Sequence, residues 1–175
     1  MKLFTVYEDF YIDDPTLEPF MELCIRYDVP LMFHSDTASG EYSEYCAAER
    51  VIKVAEAHRE LTIVCCHCWF PQMRENWIKV RHIKNIVFDI SSFYMDEKLR
   101  EIYPEAPYVP FEESVGIVRE MAEYNPDIVF YGSDFGFLTM EDHIRMVNEA
   151  IPDLKLREKI FWKNAARIYK LDITE

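Results

Sequence analysis

Four short apolar runs in this chain each lead to a residue able to do chemistry, and that pattern constrains the fold more than any other feature. Ile128-Val129-Phe130-Tyr131-Gly132-Ser133 leads to Asp134, Leu31-Met32-Phe33 to His34, Thr62-Ile63-Val64-Cys65-Cys66 to His67, and Ile86-Val87-Phe88 to Asp89, with Ser91 and Ser92 behind it. Short apolar, β-prone runs bounded by turn residues read as strands buried on both faces. Such strands belong to parallel sheets covered by helices. A polar residue at the carboxyl end of one of these strands stands where open and closed α/β folds carry their chemistry.

The segments between the runs fit this frame. Residues 2–7 alternate and read as a first strand. Asp14 is placed to cap a helix that has Pro15 at its first position, and Leu17, Phe20, Met21, Cys24 and Ile25 follow at helical spacing. Asp28-Val29-Pro30 ends that helix. A polar loop from His34 to Glu41 leads to a helix over 43–59 that turns Ala47, Val51, Val54 and Ala55 inward. After Pro71 a further helix carries Met73, Trp77, Ile78 and Val80. Residues 91–111, with prolines at 104, 107 and 110, read as one long loop, and loops of that length in a compact domain are often functional. Glu112–Tyr124 is helical, with Val115, Val118, Met121 and Ala122 inward, and two or three helices broken at Pro152 fill the tail. Strand, helix, strand connections require a parallel sheet. The expected fold is α/β, with five parallel strands near 2–7, 30–34, 61–66, 85–90 and 127–132 in sequential order.

Composition narrows the partners. The 175 residues suit one domain with one core. A net charge of −13, from 32 acids against 19 bases, repels nucleic acid and anionic membrane. No apolar run approaches the length of a membrane span. The N-terminus enters a strand pattern directly, without the features of a signal peptide. The five cysteines, Cys65-Cys66 adjacent among them, read as buried reduced thiols, which places the chain in the cytoplasm. The four glycines, at 40, 116, 132 and 136, form no phosphate-cradling loop, which argues against an open nucleotide-binding domain.

The runs also resemble a known family in their order and flanks. Val29-Pro30-Leu31-Met32-Phe33-His34, Ile63-Val64-Cys65-Cys66-His67, Asn85-Ile86-Val87-Phe88-Asp89-Ile90-Ser91-Ser92 and Tyr131-Gly132-Ser133-Asp134-Phe135 are similar to the fifth to eighth strands of the amidohydrolase-related TIM-barrel hydrolases and decarboxylases. Lys163-Asn164-Ala165-Ala166-Arg167-Ile168-Tyr169-Lys170-Leu171 is similar to that family's closing Asn-Ala-x-Arg helix. The resemblance implies a five-stranded part of a (β/α)8 barrel, matching strands four to eight of the family and lacking its first three βα units. The sequence departs from the family in having no His-x-His pair, and Gly136 stands where the family often has proline.

The resemblance further implies a divalent metal, zinc by preference, held by His34 and Asp134 in a site that this chain leaves incomplete. Imidazole and carboxylate are suitable donors for zinc or manganese. Asp134 would also take a proton from a metal-bound water, and His67 would polarise the substrate carbonyl or hold an anionic intermediate. A catalytic zinc takes three protein ligands as a rule, and Glu8 is a third candidate on position alone. The substrate would be a small molecule, hydrolysed at a C–O or C–N bond or decarboxylated; an inactive half-barrel remnant is the alternative. Five strands cannot close an eight-stranded ring, so a homo-oligomer or an N-terminal partner fragment is expected to cover the open edges. Among the other polar residues, Asp89 reads as structural, Asp134 as a rival N-cap at Phe135, and His58 as a helix-end cation. His82 and His143 read as surface residues.

Overall fold

The computed structural model describes residues 1–36, 43–136 and 139–173. The loop expected over 34–41 therefore lies largely outside the described residues. Five strands form one sheet in the order β1-β2-β3-β4-β5: Lys2–Leu3, Leu31–His34, Ile63–Cys66, Ile86–Asp89 and Val129–Phe130. The chain divides into two compact units, Met1–Phe88 and Asp89–Glu175.

In the first unit β1, β2 and β3 pair in parallel, with Leu3 opposite Phe33 and His34 opposite Cys66. Helices α1 (Glu18–Arg26), α2 (Ala48–Ala57) and α3 (Met73–Val80) connect its strands. Leu31, Phe33, Ile63, Val64 and Cys65 are fully buried, as are Val51, Met73, Trp77 and Val80 from the helices. This is the two-sided burial that the apolar runs require. Asp14 caps the turn Pro15–Leu17 that leads into α1, its Oδ1 accepting from Thr16 N at 2.8 Å. Arg50 of α2 binds Asp13 at 2.7 Å and lies over the Tyr11 ring, which ties the segment before α1 to α2.

The first strand is shorter than the alternation over 2–7 suggests. The chain turns after Leu3, with Tyr7 N and Glu8 N both donating to Phe4 O and Asp9 in the left-handed region. Alternation alone does not make a strand where no ladder continues, and here the carbonyl of Phe4 is used by the turn.

The second unit carries α4 (Glu97–Ile102), α5 (Phe111–Tyr124), α6 (Met140–Ala150), α7 (Leu154–Glu158) and α8 (Asn164–Tyr169), with one π turn over Lys159–Lys163. Helix α4 lies inside the stretch expected as loop. Asp96 caps it by accepting from Leu99 N at 2.9 Å, and its six residues bury none of their side chains, so no apolar period announces it. Val118 and Met121 of α5 and Met146 and Val147 of α6 are buried. Arg119 donates to Ala150 O and Glu149 O, where the carboxyl end of α6 leaves carbonyls without helical partners. Strand β5 starts late because Asn125 and Pro126 open a 3-10 turn over Pro126–Ile128. It ends early because Tyr131 N donates to Ile160 O, in the π turn.

Candidate active site

In the first unit the structure brings two of the three expected site residues together. His34 closes β2 and His67 follows β3, so both stand at the carboxyl ends of adjacent parallel strands. Their rings meet edge to face with centroids 4.7 Å apart. Both are buried, and Nε2 of His34 is shut off from solvent. Tyr7 packs on the His34 ring at 4.9 Å and Phe4 stacks on it at 6.1 Å, so the turn after β1 forms one wall of the site. The sequence gives no sign of that wall, because it depends on where β1 stops.

The backbone around His67 is strained. His67, Cys68 and Trp69 have φ of 66°, 44° and 59°, three consecutive non-glycine residues in the left-handed region. Each costs roughly 1–2 kcal/mol there, and such strain persists only when the surroundings fix it. Here they do. Trp69 N donates to Ser35 Oγ at 3.2 Å, Trp69 Nε1 donates to Cys46 O at 2.6 Å, and Ser35 Oγ donates to Cys66 O. Trp69 is buried with its edge toward Phe33. The turn leaves His67 at the end of β3 with its ring beside His34. The thiols take no visible part: all five cysteines are free and buried, and burial beside Asp36 pushes Cys46 up to about 12.

In the second unit Asp134 follows β5, in the left-handed region at φ 54° and exposed. Ser92, also left-handed at φ 60°, donates from Oγ to Asp134 Oδ2 at 2.9 Å. No helix begins at Phe135, so Asp134 is not a helix cap. Asp89, read as structural, makes local contacts: its Oδ1 accepts from Ser91 N at 2.8 Å, and its side chain fills the space where a Cβ on Gly132 would stand, 2.1 Å from Oδ1. An open cavity of about 430 Å³ beside this point is lined by Leu99, Ile102, Phe135, Met140 and Lys98 among others.

His143 corrects the surface reading. It is fully buried in α6. Its Nδ1 lies 3.1 Å from Thr139 O, which makes Nδ1 the protonated nitrogen, and its buried Nε2 meets no hydrogen-bond partner among the described residues. Burial holds its pKa below the ordinary histidine value, against the opposing pull of the Thr139 bond and of Asp142, Asp89 and Asp134. The signal was available, since His143, Met146, Val147 and Ala150 share one helical stripe. His58 is held not by a helix end alone but by Glu18, whose Oε2 lies 3.2 Å from its Nε2. His82 is exposed, as expected, and so is Glu8 in its turn.

A divalent metal fits these residues only in part. The donor types are right, an imidazole in one unit and a carboxylate in the other. The number is not: among the described residues no three of His, Cys, Asp or Glu are grouped to hold an ion. The described residues therefore do not by themselves present a complete metal site.

Comparison with known proteins agrees with this architecture. The sequence profile of the amidohydrolase family matches residues 1–171. A search of curated proteins finds no match. Among solved structures, 5-carboxyvanillate decarboxylase from Sphingomonas paucimobilis is 17% identical with a TM-score of 0.66, the match covering 97% of this chain and 58% of that one. Dihydroorotase from Campylobacter jejuni is 17% identical with a TM-score of 0.68, covering 99% and 59%. A dihydroxybenzoic acid decarboxylase from Polaromonas sp. JS666, solved with bound manganese, is 15% identical with a TM-score of 0.64, covering 94% and 56%. The chain thus spans a little over half the length of these relatives, and at such identities they show the fold alone. With its profile matched almost from end to end, its parallel α/β sheet and its strand-end histidines, this chain belongs to the amidohydrolase family.

Proposed function

We propose that the chain is one part of a metal-dependent amidohydrolase-type enzyme that hydrolyses a C–O or C–N bond of a small molecule or removes its carboxylate. The observation that carries this reading is the pair of buried histidines, His34 and His67, with rings 4.7 Å apart at the ends of neighbouring strands. In it the whole chain acts as a single domain corresponding to strands four to eight of the family barrel, without the first three βα units. The protein works in the cytoplasm.

In this reading His34 and Asp134 are two of the metal's ligands, and the rest come from outside the described residues. Zinc is the expected ion, with manganese, which one solved relative holds, as the nearest substitute. His67 serves as the catalytic imidazole. Buried with its ring against that of His34 and locked by the left-handed turn, it is pre-organised to donate a hydrogen bond to an oxygen that gains negative charge. Asp134 is exposed at a loop and serves as the proton acceptor, with Ser92 Oγ–H holding one of its oxygens in place.

A second reading, an inactive half barrel kept for assembly, is favoured by the short donor set. Metal retention and turnover separate the two. The chain should bind zinc or manganese weakly, losing it on dialysis against a mild chelator. When joined by the missing βα units, it should decarboxylate or hydrolyse a panel that includes 5-carboxyvanillate and dihydroxybenzoate. His67→Asn and Asp134→Asn should each lower turnover at least about 100-fold, the usual range for a general acid–base group. Wild-type inactivity across the panel in the presence of both metals, with the barrel completed, would favour the remnant.

A further inference from the structure

The first unit has a second cavity, at the other end of the same strands. It has a volume of about 250 Å³ and is lined by Ala55, Glu56, Arg59, His82, Ile83, Lys84 and Asn85. Asn85 lies just before β4, and Ala55 and Glu56 lie in the last turn of α2. The cavity therefore opens at the amino ends of the strands, whereas His34 and His67 stand at the carboxyl ends.

Its charge is unlike the rest of the unit. The chain as a whole carries 32 acids and 19 bases. Most basic side chains in this unit are engaged: Arg50 and Lys53 with Asp13, Lys79 with Glu49 and Glu75, Lys2 over Phe4, Arg26 over Tyr27. Arg59, His82 and Lys84 form no ion pair, hydrogen bond or ring contact among the described residues. All three line one cavity against a single carboxylate, Glu56.

The backbone segments around the cavity are tied together through Asn85. Asn85 Nδ2 donates to Ala55 O, His58 O and Leu61 O, at 3.1, 3.0 and 2.9 Å. These bonds pin the end of α2 and the following loop to the start of β4. They also occupy carbonyls at the α2 carboxyl end, whose partial negative charge would otherwise repel an anion.

We propose that this cavity is a binding site for a small molecule bearing a phosphate group, separate from the candidate active site. A guanidinium fork, an ammonium and an imidazole supply more donors than one carboxylate can use and suit the several oxygens of a phosphate dianion. Pockets for drug-sized ligands run from roughly 300 to 1,000 Å³, so this one suits a smaller molecule. The apolar Ala55 and Ile83 give its carbon portion a surface to rest on.

Inorganic phosphate titrated into the full chain, followed by amide chemical shifts at constant ionic strength, tests the proposal. Saturable shifts should map to residues 55–59 and 82–85. Acetate should bind at least tenfold more weakly. Arg59→Gln with Lys84→Gln should weaken phosphate at least tenfold, and Glu56→Gln should tighten it severalfold. Arg59, Lys84 and Glu56 are exposed, and an unchanged thermal transition will verify folding. If the double variant does not fold, the Glu56→Gln result decides alone. Shifts mapping elsewhere, equal affinity for acetate, or no effect of these substitutions would overturn the proposal.

Discussion

His143 shows how one residue sets a pH dependence. Its imidazole is buried and held neutral by desolvation, against the attraction of Asp142, Asp89 and Asp134. Its folded pKa is therefore below its unfolded value, near 6.5. Between that value and the folded pKa the unfolded chain binds a proton that the folded chain resists, so stability drops as pH falls from about 6.5 toward the folded pKa and levels off below it. Above the window both states are neutral and the residue adds no pH dependence. We expect urea midpoints of the wild type to decline from pH 7 to pH 5, and His143→Leu to flatten that decline. An equally steep decline in the variant would place the acid sensitivity in other groups.

Among the elements, α8 explains why its sequence motif has the residues it does. Asn164 is buried, and its Nδ2 donates to Pro126 O and Val129 O, both at 2.6 Å. Arg167 donates to Asp127 O between them. The helix thus satisfies the carbonyls where the 3-10 turn hands over to β5, a strand of two residues that has few ladder bonds of its own. Asn164→Ala leaves two carbonyls without that donor. Each buried unsatisfied group costs about 1–3 kcal/mol, so a loss of about 2–6 kcal/mol is expected, read as a lower urea midpoint with an unchanged slope. A loss within about 0.5 kcal/mol, the range of ordinary surface substitutions, would show that water replaces the amide.

For the molecule as a whole the exposed edge of the first unit matters most. β1 is an edge strand, and Phe20, Leu23 and Tyr27 form an apolar stripe on the outside of α1 and its cap, 46%, 46% and 66% exposed. Phe4 at 39% and Val29 at 44% are exposed as well. Uncovered apolar surface costs roughly 25 cal/mol per Å², and an unpaired strand edge invites another strand. We expect the chain to self-associate at micromolar concentration or to bind a fragment supplying the preceding βα units. Sedimentation should show a species larger than 20.9 kDa. Leu23→Lys with Tyr27→Lys should return it to monomer. A wild-type monomer that binds no hydrophobic dye would remove the assembly expectation.

Much of this protein is determined locally. Apolar runs ended by His34, His67 and Asp89 gave strands that end where expected, because two-sided burial leaves its mark on every residue of a short strand. Asp14 before Pro15 gave the start of the first helix, because a cap acts within three residues. What only the tertiary structure decided depends on partners far along the chain. β1 stops at Leu3, and Tyr7 becomes a wall beside His34, because the turn takes the hydrogen bonds a longer strand would need. The left-handed turn from His67 to Trp69 contains no glycine to announce it; it exists because Ser35 and Cys46, more than twenty residues upstream, bind Trp69. The cation-lined cavity joins residues 55–59 to 82–85 through the three carbonyls that Asn85 gathers. Such contacts gain their energy only after the chain has been brought together, so no short window of the sequence contains them.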